Sequence, residues 1–128
     1  MSNADGAAPG ASHDELSDED LKLVTLARGA RARIDAAQGA AVRDETGRTY
    51  SGATVSLKSM PLSALALAVA QAVAAGARGL EAVALVSELD PSPADVSCAV
   101  ELGGEALPII VTGLDGSIRA VLRPGSMA

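Results

Sequence analysis

Side chains able to do chemistry are few in this sequence, and their spacing limits what they could do. Cys98 is the only cysteine and His13 the only histidine, so the chain can close no internal disulfide and build no cysteine zinc site. A reactive thiolate wants positive charge beside it, whereas Cys98 has Asp95 and Glu101 for neighbours. It reads as a small packing residue. His13 lies in a polar leader and reads as a solvated tail residue, not a ligand. Asp90 and Asp95 fall near a helix start and read as local caps rather than an acid/base pair. Arg28, Arg31 and Arg33 collect where a helix ends, and cations there complement the macrodipole without needing an anionic ligand.

The elements that must position these residues centre on Ser59–Gly76, SMPLSALALAVAQAVAAG. This stretch predicts a helix over Leu62–Ala75 that is apolar on nearly every side, with Gln71 its one strong hydrogen-bonding side chain beyond Ser63. A helix of that kind needs neighbours packed around it.

Composition narrows the function classes. The 128 residues allow one domain. With 10 basic and 16 acidic side chains, a net charge of −6, the chain lacks the basic footprint of a nucleic-acid binder. Tyr50 is the only aromatic residue, so base-stacking platforms, aromatic cages and membrane-interface belts are missing. No apolar run reaches the roughly 18 residues of a membrane span, and the first residues lack the basic and apolar regions of a secretory signal. The expected setting is the cytoplasm, without membrane or nucleic-acid partners.

Residues 1–16 are too polar to offset their ordering entropy and read as a disordered acidic tail. A single domain is expected over 17–125. Ser17 with Asp20 makes a capping-box-like start for a first helix that should stop near Asp35. Strands over Ala40–Asp44 and Thr49–Leu57 flank a Glu45–Thr46–Gly47 turn, a hairpin pattern. Pro61 is expected to open the second helix, and Gly76 to close it. Residues 80–88, LEAVALVSE, read as a central strand covered on both faces. Ser92 and Pro93 predict the cap and first residue of a third helix that stops at Gly103–Gly104. LPIIVTG and LDGSIRAVL predict a last antiparallel pair turning at Asp115–Gly116, before a frayed RPGSMA tail. The fold class is α/β, a five-stranded mixed sheet in a three-layer α/β/α arrangement with element order α-ββ-α-β-α-ββ.

Several stretches resemble the small homo-oligomeric cytidine deaminases. GAAVRDETGRTYSGATV is similar to the family's first hairpin, and KSMPLSALALAVAQAVAAG stands where its Pro-Leu loop and catalytic helix lie. PSPADVS takes the place of its Ser-Pro-Cys-x-x-Cys, and LPIIVTGLDGSIRAVL that of its last hairpin. The resemblance spans about residues 18–125 and implies a cytidine deaminase-like fold.

It also implies a zinc site, which needs three His or Cys ligands, a bound water and a non-ligand Glu to move its proton. Counting forward from Gly52 puts the first ligand at Leu65 and the Glu at Leu67; counting back from Gly76 puts them at Ser63 and Leu65. In both registers the proton carrier is a leucine. Pro93 matches the second motif, while its two cysteines fall on Ala94 and Ser97, and Cys98 stands one residue, about 100° of helix, out of place. The family's ribose-binding Asn-x-Glu reads Thr54 and Ser56. No catalytic residue, metal ligand or cofactor is therefore expected.

The leading expectation is an inactive member of the fold that acts as a homo-oligomer, a dimer or tetramer, or binds a protein partner. One alternative is a zinc deaminase whose site is unrecognised or completed by a partner. Another is a nucleoside or small-molecule sensor using a remnant pocket at Thr54, Ser56, Ser63, Leu65, Leu67, Ala94 and Ser97.

Overall fold

The structure is a computed structural model that describes residues 16–126. The tail expected over residues 1–16, with His13, therefore lies outside the described residues except for Leu16. Leu16 packs, partly buried, against the apolar cluster that holds Leu23, Val24 and Ala27.

The first helix, α1 (Asp18–Ile34), begins where the sequence places it. Ser17 Oγ accepts the Asp20 N–H, three acids fill the first turn, and Asp35 ends the helix in the left-handed region at φ 53°. Strands β1 (Gly39–Asp44) and β2 (Thr49–Ala53) form the hairpin. Its turn is organised by Asp44, whose Oδ1 accepts the N–H groups of Thr46 and Arg48 at 2.8 and 3.0 Å.

The segment after β2 differs from the expected long strand. At Thr54 the chain leaves the sheet: its hydroxyl accepts the Gln38 N–H at 3.0 Å, and its own N–H donates to Gln38 O. The following residues form a separate small hairpin, β3 (Val55–Leu57) with β4 (Met60–Leu62). Pro61 accordingly lies in β4 opposite Ser56, and does not open the helix. The cap is Ser63, whose Oγ accepts the Ala66 N–H at 3.0 Å, so α2 (Ala64–Ala74) is 11 residues long.

Strand β5 (Leu80–Val86) is buried at every position but Glu81. Helix α3 (Pro93–Gly103) has Ser92 as cap and Pro93 in its first turn, as its sequence predicts. Strands β6 (Ile109–Thr112) and β7 (Ile118–Leu122) complete the main sheet, ordered β2-β1-β5-β6-β7. The β5–β6 pair is parallel and the other pairs antiparallel, so the sheet is mixed. Past β7, Pro124–Ser126 form a single tight turn tied to Glu105 O by the Gly125 N–H at 2.7 Å. Pro124–Ser126 are held, not frayed, while Met127 and Ala128 of the expected frayed tail lie outside the described residues.

Two apolar layers sandwich the sheet. Leu23, Val24 and Ala27 of α1 pack on Ala41, Ala84, Val86 and Ile110. Leu65, Ala68 and Ala72 of α2 and Ala99 of α3 pack on Val42, Val83, Leu85 and Ile109. Among the described residues no helix is long and apolar enough to cross a membrane.

Asp44 carries the clearest pH signature of the fold. Hydrogen bonds from Thr46 first, then Tyr50 and Arg48, outweigh burial and lower its carboxyl to about 2. The folded value lies below the ordinary value of about 4, so the stabilisation is present above pH ~4 and is lost as pH falls towards 2. Replacing Asp44 by Asn is expected to lower the melting temperature at pH 7 and flatten its fall between about pH 4 and 2, read by circular dichroism melts across that range.

Candidate functional site

Helices α2 and α3 start beside one another on the same face of the sheet, and their first turns carry the positions to which the zinc resemblance points. Ser63 caps α2 and Ser92 caps α3, the latter accepting the Asp95 N–H at 3.1 Å. Between them, Ser63 Oγ donates to Asp95 Oδ1 at 2.7 Å. Asp95 is only 7% exposed. Its carboxylate is not the cap of α3 and does not pair with Asp90, which instead meets Arg119 Nη2 at 3.0 Å.

The candidate positions do not converge on one pocket. Thr54, Ser56 and Ser63 line an open cleft of about 470 Å³ with Gln38, Leu57 and Pro61. Leu65 is 0% exposed and belongs to the core. Leu67 is half-buried, close over Gly52. Ala94 and Ser97 are exposed, and Ser97 lines a separate recess with Pro93, Val96 and Pro124. The hydroxyls of Thr54 and Ser63 are both committed within the protein, to the Gln38 backbone and to Asp95.

Cys98 lies half-buried on α3, its thiol donating to Asp95 O at 3.3 Å. Burial raises the thiol's pKa, and Asp95 and Glu101 raise it further. The arginines at the end of α1 do not act together. Arg28 covers the turn at Gly116, while Arg31 Nη2 stands 3.6 Å from Asp35.

Gln38 and Ser87 were not legible as site residues. Gln38 Nε2 donates to Ser87 Oγ at 2.8 Å across 49 residues of chain, beside the cleft, and no local pattern in the sequence marks the pair.

A model of the cytidine deaminase-like family matches residues 16–116. The chain belongs to that family. No curated protein matches it. Among solved structures it is similar to the cytidine deaminase of Burkholderia pseudomallei, with 26% identity and a TM-score of 0.73 over 86% of this chain and 94% of that one. The Mycobacterium tuberculosis cytidine deaminase is 28% identical with a TM-score of 0.63, covering 73% of this chain and 85% of that one. The Mycobacterium leprae enzyme, at 23% identity and a TM-score of 0.64 over 81% of this chain and 93% of that one, shares the fold.

The residues of this family member do not fit a zinc ion. Ser63 or Leu65, Ala94 and Ser97 offer neither imidazole nor thiolate. Among the described residues no group of three His, Cys, Asp or Glu side chains could hold a metal. Cys98 is the single cysteine, and burial together with Asp95 and Glu101 disfavours its thiolate. Alkylation of Cys98 by iodoacetamide is expected to be slow at pH 7 and to accelerate only above the ordinary cysteine range of about 8.5, measured by mass spectrometry over a pH series.

Proposed function

We propose that this cytidine deaminase-like chain is catalytically silent and serves in the cytoplasm as an oligomeric structural or protein-interaction module. The observation that carries this reading is the donor set at the two helix starts. Positions matching the ligands hold Ser63 or Leu65, Ala94 and Ser97, and the proton carrier is a leucine in either register. Side chains of those types supply neither the ligands for a metal that would lower a water's pKa nor, at the position matching the proton carrier, a group to take its proton.

Assembly is supported by the outward face of α2. Ala70, Gln71, Val73 and Ala74 are exposed there, and the helix carries no charged residue. Val73 is 53% exposed, and the facing pair Leu57 and Met60 of the small hairpin are 56% and 50% exposed. Apolar surface of this kind favours a covering partner.

Two other readings have a specific observation behind them. Identities of 26% and 28% to proteins named as cytidine deaminases favour retained deamination of cytidine, which would need a site that is unrecognised or completed by a partner. The cleft at Thr54, Ser56 and Ser63 favours a small-molecule sensor.

The purified protein is expected to carry far less than one zinc per chain and to convert no cytidine to uridine above background. One equivalent of zinc together with turnover would establish the deaminase instead. Stabilisation by a nucleoside at millimolar concentration in a thermal-shift panel would establish the sensor.

In sedimentation velocity at micromolar concentration, a dimer or tetramer of the 12.7 kDa chain is expected. Val73→Glu should shift it towards monomer without changing its circular dichroism. A wild-type monomer would end the assembly reading.

A further inference from the structure

We infer that the Ser63–Asp95 hydrogen bond is a metal-free cross-link that fastens the starts of α2 and α3. It would stand in for the thiolate-bound zinc that joins the two helix starts in enzymes with the Pro-Cys-x-x-Cys signature. The inference rests on the reading that the ligand set is gone, but concerns what holds the helices once it is.

The geometry supports a cross-link rather than a chance contact. The two residues lie 32 apart in sequence, and the 2.7 Å separation is that of a strong O–H···O bond. The Ser63 hydroxyl is used in both directions, accepting the Ala66 N–H and donating to Asp95. In a reciprocal capping box the Asp95 carboxylate would turn back to the Ser92 N–H. No such bond is present among the described residues, and the carboxylate reaches across to α2 instead.

Charge explains why a carboxylate suits this place. Each helix start carries positive partial charge, and two of them side by side repel. In a thiolate site the ligands supply negative charge there. Here α2 has no acid in its first turn, and Asp95 is the one acid in the first turn of α3. A single buried carboxylate therefore faces both helix starts, and a hydrogen-bond donor from the opposite helix accompanies it. Left unpaired, that carboxylate would carry a desolvation cost.

Ser63→Asp separates cross-linking from capping, because Asp caps a helix as well as Ser does. If the Ser63 side chain caps α2 without facing Asp95, Ser63→Asp melts like the wild type. As a cross-link it sets two carboxylates face to face, and the melting temperature falls. Adding Asp95→Asn restores a donor to the pair and is expected to recover most of the loss.

Ser63→Ala and Asp95→Ala should also be non-additive. The double variant's unfolding constant should be about tenfold smaller than the two single effects predict. EDTA should leave the wild-type melting temperature unchanged.

A wild-type-like Ser63→Asp, no rescue by Asp95→Asn, or a melting temperature lowered by EDTA overturns the cross-link. Where an alanine variant does not fold, the Ser63→Asp and Asp95→Asn pair still decides. The cytidine assay is independent of these melts, so loss of the cross-link and loss of the silent-enzyme reading are told apart.

Discussion

Two glycines govern how closely the helices approach the sheet, and the rest of the molecule depends on that closeness. Gly39 of β1 lies under α1, where an added Cβ would stand 2.7 Å from Arg31 Cβ. Gly52 of β2 lies under α2, where a Cβ would meet Ala64 O at 2.9 Å and Leu67 Cβ at 3.0 Å. Contacts that short exclude any larger residue without backbone movement. The need for them follows from composition. With no Phe or Trp to fill a wide interlayer space, native packing density requires narrow layers built from small side chains. The inward positions of α2 show this, Ala64, Ala68 and Ala72 all being 0% exposed. A helix seated that deeply has its start fixed relative to the sheet, and so relative to α3.

Several polar side chains around the two helix starts are satisfied by one another or by nearby backbone. Ser63 answers Asp95, Thr54 answers the Gln38 backbone, and Gln38 answers Ser87. The same habit appears at the hairpin, where Asp44 collects Thr46, Arg48 and Tyr50, and at the α2–β5 loop, where Glu45 accepts the N–H groups of Arg78 and Gly79. A site that activates water must keep donors and acceptors aimed at the substrate rather than at each other. Internal satisfaction has the opposite effect, giving stability and a single arrangement.

Local rules made much of the fold legible. Ser17, Ser92, Pro93 and Gly76 mark helix ends through backbone geometry that each residue settles with its near neighbours. The continuous apolar run at residues 80–88 marks a strand covered on both faces. The departure at Thr54 was not legible, because a Thr in a β-rich stretch continues a strand unless something distant claims its hydroxyl. That claimant is Gln38, 16 residues away. Pro61 misled for a related reason: its fixed φ suits both a first helical turn and an extended strand. The β3–β4 pairing decided between them. For the site, the residue types at Ser63, Leu65, Ala94 and Ser97 are plain in the sequence. The Ser63–Asp95 contact was not legible, since it joins two helices across 32 residues of chain.

Charge distribution bears on where copies of this chain could meet. A net charge of −6 opposes self-association through any surface that presents its acids. The start of α1 carries Asp18, Glu19 and Asp20, which makes that end a poor contact. Helix α2 carries no charge along its length, so approach along it meets the least repulsion and removes apolar surface from water. The features that make α2 poor at chemistry, small side chains and no ionisable group, are those that suit a helix to packing against another copy.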